Sequence, residues 1–205
     1  MIRVLLALLL TFSAATAQTL PALYDVTGVA ADDVLNVREA PRGTASKLAG
    51  IPHNAKGVEV VALSSSGDWG QVNTGERSGW VSMRYLALGA GPVEGDLLTD
   101  HPLWCSGTEP FWTLTSDGTA LSWSEPGVEP FPLSQHTAAR AEGRPAYRQA
   151  VDGVFEDGRT LTATIRTEAC TDGMSDRAYG LAIDLLMRGP DGARLLTGCC
   201  SIGGR

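Results

Sequence analysis

Four cysteines carry the most specific chemistry available to this chain: Cys105, Cys170, Cys199 and Cys200, all in its second half. An even count fits disulfides in an oxidising compartment, and four cysteines allow three pairings. A bond between the neighbours Cys199 and Cys200 strains the peptide that joins them, so that pairing ranks last. If the two end a strand, their side chains point to opposite faces and each reaches a different partner. Cys170 with Cys199 and Cys105 with Cys200 is the assignment put first, and the exchanged assignment stays open beside it. Each bridge is expected to stabilise the fold by about 3–4 kcal/mol in the chain-entropy treatment. The competing use is metal or redox chemistry, since His101 stands four residues before Cys105. No C-x-x-C, no haem-attachment sequence and no close histidine pair accompanies it. No metal and no cofactor is therefore expected.

Catalytic constellations are thin. A nucleophilic thiolate needs a free cysteine beside histidine, and bridges consume the thiols. The G-x-S-x-G elbow of serine hydrolases is absent. Asp172, Ser175 and Asp176 in "TDGMSDR" make a polar cluster, but a glycine-containing run of this kind is commonly a turn capped by its own side chains. Glu109 and Glu125 lie close in sequence to Trp112 and Trp123, superficially like a glycan-cleaving carboxylate pair. The simpler reading puts both charges in solvent. The chain is read as a binding protein, not an enzyme.

Binding chemistry falls to the aromatic residues. Trp69, Trp80 and Tyr85 are the rings of the first half that a groove has available. Glu109, Phe111 and Trp112 in "GTEPFW" offer a rim in the second. The plainer alternative makes Trp69 and Trp80 core, because buried rings dominate small cores. For "GTEPFW" it places one of Phe111 and Trp112 in the core and the other under a loop.

The elements that must position these residues read as β-structure throughout. In "VLNVR", Leu35 and Val37 face one way and Asn36 and Arg38 the other, the period of a half-buried strand. "GVEVVAL" is a second strand, and Trp69 with Val72 and Trp80 with Val81 mark two more. Gly70 and Gly79 stand beside the tryptophans, where a large ring crowds an ordinary side chain. In the second half, Phe111–Thr115 and Ala120–Ser124 flank an Asp-Gly turn signal, and further Asp-Gly turns occur at Asp157 and Asp191. "RTLTATIRT" alternates, with Leu161, Ala163 and Ile165 on one face. Leu133–Arg148 is ambiguous: rich in alanine but broken by Gly143 and Pro145, it suits a brief helix or an irregular crossing. The glycine-rich stretch 89–100 reads as a linker.

Three blocks in order, "LNVREAP", "GDWGQV" and "SGWVSMRYL", resemble the bacterial SH3-like (SH3b) domain over Tyr24 to Leu88. The resemblance implies a small barrel, assigned to residues 22–88, that binds peptidoglycan stem peptides or glycan, or docks on an envelope partner. It fixes no ligand residues beyond a groove. "CSGTEPFW" and "CTDGMSDRAY", with the late "GCC", resemble an uncharacterised bacterial envelope domain similar in pattern to lipocalin-like and META barrels. That implies a disulfide-braced antiparallel β-barrel over residues 101–205. The whole chain is accordingly expected to be all-β, with two small barrels in series.

Met1–Ala17 has a basic start, a short apolar run and small residues at Ala15 and Ala17, the pattern of a secretory signal cleaved after Ala17. The run is too short to remain as a membrane span, so no stable membrane insertion is expected. The formal net charge of −7, without a Lys/Arg cluster, argues against nucleic acid. The expected location is periplasmic or secreted, in a bacterium. The expected function is non-catalytic envelope binding, with inhibitor or accessory subunit of an envelope enzyme (a muramidase, for example) and redox or metal handling as the alternatives.

Overall fold

The computed structural model describes residues 19–143 and 147–203. The signal at Met1–Ala17 and the break at Pro145 lie outside the described residues. The chain is nearly all β, and its second half closes into an eight-stranded antiparallel barrel braced by two disulfides.

In the first half, Ala22–Val26 (β1) pairs with Val58–Val60 (β4) and Leu86–Leu88 (β8). A second sheet runs Lys47–Pro52 (β3), Val34–Arg38 (β2), Arg77–Ser82 (β7), Trp69–Thr74 (β6) and Ala62–Leu63 (β5). Both sheets bury their apolar positions in one cluster, including Tyr24, Leu35, Val37, Val60, Val72 and Val81. Leu35 and Val37 are the inward residues of β2, as their alternation requires. Gly70 and Gly79 also face inward, which corrects the reason for them. A Cβ on Gly70 would stand 2.7 Å from the Met83 sulfur, and one on Gly79 would stand 2.5 Å from Val37. The core on the inner face demands glycine there, while the tryptophans lie on the outer face.

The barrel order is Trp112–Asp117 (β10), Leu121–Ser124 (β11), Phe131–Arg140 (β12), Arg148–Phe155 (β13), Thr160–Cys170 (β14), Tyr179–Gly189 (β15), Gly192–Ile202 (β16) and Pro102–Gly107 (β9), which closes on β10. Leu161, Ala163 and Ile165 point inward, as their period predicts. With Trp123, Phe155, Leu114 and Ile183 they fill the interior, as eight strands allow. At the β10–β11 hairpin, Asp117 Oδ1 accepts from the Thr119 and Ala120 N–H groups and the Thr119 hydroxyl. These bonds, led by that from Ala120, pull the Asp117 carboxyl down to about 2.

Leu133–Arg148 departs from expectation: its first part belongs to β12, paired with β13 from Leu133↔Phe155 to Arg140↔Gln149. Among the described side chains of β12 only Leu133 is buried, with Phe131, Ala138 and Arg140 partly so. The apolar signal is therefore sparse, and ladder pairing overrides the helix propensity of its alanines.

Both disulfides follow the pairing put first. Cys200 pairs directly across from Cys105 in the β16–β9 ladder and faces the barrel core. Cys199 points the other way, to Cys170 at the end of β14. All four cysteines are thereby consumed.

The stretch read as a linker is anchored at both ends. The Gly89 N–H donates to the Leu23 carbonyl, and the Tyr147 hydroxyl donates to the Pro92 carbonyl. Leu98 is fully buried in the barrel core. Its N–H donates to Gln149 Oε1 at 2.6 Å, while Gln149 Nε2 donates to the Thr99 hydroxyl.

The halves meet at the end of β6 and the β6–β7 turn, and Leu23 of β1 joins the core cluster of the barrel. Asn73 Nδ2 donates to the Ala178 carbonyl at 2.8 Å and Asn73 Oδ1 accepts from the Ala178 N–H at 3.0 Å. Alongside, the Asp176 N–H donates to the Glu76 carbonyl and the Ser78 N–H to the Asp176 carbonyl. At a separate point, the Ile202 N–H donates to Glu59 Oε1 at 3.0 Å.

Candidate functional site

Because Gly70, Val72, Gly79 and Val81 face the core, the alternation of β6 and β7 turns Trp69 and Trp80 outward. Trp69 pairs with Ser82, and Trp80 sits between Gln71 and Arg38 in the ladder. Both rings are half-buried. This excludes the reading of the tryptophans as core: the sheet's inner face is occupied by valines.

Beside Trp69 lies a groove of about 710 Å³, within the range of ligand sites. The β1–β2 loop supplies Gly28 and Asp33, β2 supplies Asn36 and Arg38, and the β5–β6 turn supplies Asp68. The turn after β7 supplies Arg84 and Tyr85. Trp69 and Tyr85 are thus brought together as expected; Trp80 shares the sheet face but does not line the groove. Arg84 lies over the Tyr85 ring, 4.5 Å from its centroid, and its Nη2 donates to the Tyr85 hydroxyl at 2.7 Å. That stacking holds Tyr85 and leaves the guanidinium's remaining donors available. Arg38 Nη1 donates to the Ala45 carbonyl at 2.7 Å, which ties the β2–β3 loop to the groove. Two guanidiniums, two carboxylates and two rings converge there, chemistry suited to a peptide carrying both signs of charge. Asp33, Arg38, Asp68 and Arg84 were missed at the sequence level. The outward parity of Arg38 and the adjacency of Arg84 to Tyr85 were the available signals.

The "GTEPFW" rim divides. Trp112 is buried and stacks on Trp123, with centroids 5.3 Å apart and planes 10° apart. A Cβ on Gly107 would stand 2.1 Å from Trp112 Nε1, and one on Gly198 would stand 2.8 Å from its ring. Gly107 leaves room for the indole, while a Cβ on Gly198 would first meet the Ser106 carbonyl oxygen at 2.2 Å; Trp112 is a core residue and not an open binding surface. Phe111 is 49% exposed and Glu109 is exposed. Glu109 has a positive φ of 58°, a region that costs a non-glycine residue energy.

"TDGMSDR" forms a capped turn. Asp172 Oδ1 accepts from the Met174 and Ser175 N–H groups, and Oδ2 accepts from the Ser175 and Tyr179 hydroxyls. Burial alone would raise the Asp172 carboxyl, but these donors outweigh it and hold it below the usual range. The Ser175 hydroxyl serves the turn. Glu125 pairs with Arg194 at 3.7 Å, and His101 Nε2 lies 3.1 Å from Asp96, while Cys105, the residue weighed beside it in the alternative metal reading, is in a disulfide.

No helix among the described residues is long and apolar enough to cross a membrane. No family model matches the chain, and neither curated proteins nor solved structures provide a match.

Proposed function

We propose that the protein is an exported, non-catalytic binding protein of the bacterial cell envelope. In this reading its first half is an SH3-like module whose groove holds a peptidoglycan stem peptide. The observation that carries it is the groove beside Trp69: two half-open rings flanked by Arg38, Arg84, Asp33 and Asp68. A stem peptide offers apolar side chains for the rings, carboxylates for the guanidiniums and amines for the carboxylates. The two disulfides support an oxidising compartment, in keeping with the export signal read at Met1–Ala17. The barrel, filled by its own side chains, acts as a rigid platform and not as a ligand container. Titration of the protein with soluble stem-peptide fragments should change its tryptophan fluorescence. Trp69→Phe should remove most of that change, and Tyr85→Ala should weaken binding about tenfold. An unaltered change and affinity in both variants would count against the groove.

A further inference from the structure

The Asp-Gly steps of the barrel carry chemistry that the groove does not use. At such a step an aspartate can react with its own backbone, because glycine has no β-carbon to shield its amide nitrogen. That nitrogen attacks the aspartate Cγ, one water leaves, and a five-membered succinimide forms. Water then adds to either ring carbonyl. Addition at the former main-chain carbonyl opens the ring to isoaspartate, whose chain runs on through the side-chain carbon; addition at the other restores aspartate. The water lost is the water regained, and no oxidant, reductant or cofactor enters.

The barrel has five of these steps, beginning at Asp117, Asp152, Asp157, Asp172 and Asp191. The fold holds the first four carboxylates. Asp117 takes the Thr119 and Ala120 donors, both oxygens of Asp157 take Arg159, and Asp172 takes the donors of its own turn. Asp152 Oδ1 accepts from the Thr162 hydroxyl at 2.7 Å, and Gly153 behind it is paired in mid-strand with both His136 and Leu161. Ring closure consumes the neutral acid, since only that form loses water. Donors to the carboxylate suppress it: the Ala120 N–H foremost holds Asp117 at about 2, and the Arg159 N–H foremost holds Asp157 below the usual range.

Asp191 differs. It is exposed in the two-residue turn between β15 and β16, and its carboxylate has no hydrogen bond or ion pair among the described residues. Gly192 is exposed as well, with no heavy atom within 4 Å of the place a Cβ would take. Nothing packed there stops the Asp191 side chain from folding back onto the Gly192 nitrogen.

We propose that Asp191 is the barrel's site of spontaneous isoaspartate formation, while the fold protects the other four Asp-Gly steps. The added main-chain carbon lengthens the turn at the Gly189↔Gly192 pair. That is the end of β15 away from Tyr179, beside which Ala178 is clamped by Asn73. The site is therefore separate from the groove at Trp69 and does not rest on what that groove binds.

The test holds the full mature chain, folded, in warm neutral buffer for weeks and scores each Asp-Gly peptide for isoaspartate by electron-transfer mass spectrometry. The same chain, reduced and unfolded in guanidinium chloride, is the reference. In the folded protein isoaspartate should form at Asp191 at least about tenfold faster than at Asp117 or Asp157, and ahead of Asp152 and Asp172. Unfolding should raise the rates at Asp117 and Asp157 at least about tenfold. In the aged folded protein, amide exchange at Gly189 should quicken while Ile183 keeps its protection. A folded protein that forms isoaspartate as fast at any of the other four sites, or none at Asp191, would overturn the assignment. An Asp191 preference undiminished in the unfolded chain would trace to local sequence and overturn the protective role of the fold.

Discussion

Glu59 is the carboxyl on which part of the contact between the halves rests. Its Oε1 accepts from the Ile202 N–H across the boundary. Burial pushes it up from 4.5 to about 7, against the opposing pull of that N–H and of the Arg177 guanidinium. Between those values the folded chain keeps a proton that the unfolded chain releases, so this group's contribution is full below 4.5 and lost as pH rises through 7. Glu59→Gln keeps the acceptor and removes the titration. Melting both proteins across this window should show the wild-type midpoint falling relative to the variant's as pH rises; parallel curves would remove Glu59 from the account. Nothing in the sequence distinguished Glu59 from a solvent-facing residue of "VEV", because its burial comes from a strand more than a hundred residues away. Trp69 and Tyr85 were legible as candidate groove rings from their types and spacing, and both line the groove. The core position of Trp112 was not, because Gly107, which leaves room for its indole, lies on another strand.

Strands whose buried faces repeat with period two were readable directly: β2 and β14 have the inward residues their alternation predicts. The β12 strand was not, because its partner β13 carries the regular alternation while β12 is mostly exposed and bulged near Leu133. The clamp at the β6–β7 turn was equally hidden, since an asparagine in "VNTGER" reads as a turn residue. Asn73 instead mimics a strand's backbone toward Ala178. Asn73→Ala should cost about 1–3 kcal/mol by leaving both Ala178 groups without their partner. Hydrogen exchange at Ala178 and Ser78 should quicken while the middle of β14 stays protected. Unchanged exchange at Ala178 would show that the clamp does not hold the halves together.

The molecule as a whole is two β-units joined by a segment that contributes to both. Leu98 in the barrel core and Gly89 on Leu23 turn an apparent linker into a strut; composition alone reads glycine and proline as slack. The all-β class and the closing hairpins were legible because turn chemistry and alternation agree throughout. The disulfides stabilise unequally: Cys105–Cys200 spans 95 residues and Cys170–Cys199 spans 29, worth about 4.7 and about 3.6 kcal/mol respectively in the chain-entropy treatment. Urea unfolding of the two paired Cys→Ala variants should therefore give the lower midpoint for the Cys105/Cys200 variant, and the reverse order would contradict this ranking. The claim that joins the parts is envelope binding through the groove beside Trp69. Its most direct test is co-sedimentation of the full mature chain with purified peptidoglycan, with Trp69→Ala, verified as folded by its melting curve, run alongside. The wild-type protein should pellet with the wall and the folded variant should remain in the supernatant. A wild-type protein that stays in solution, or a variant that pellets equally well, would contradict the account.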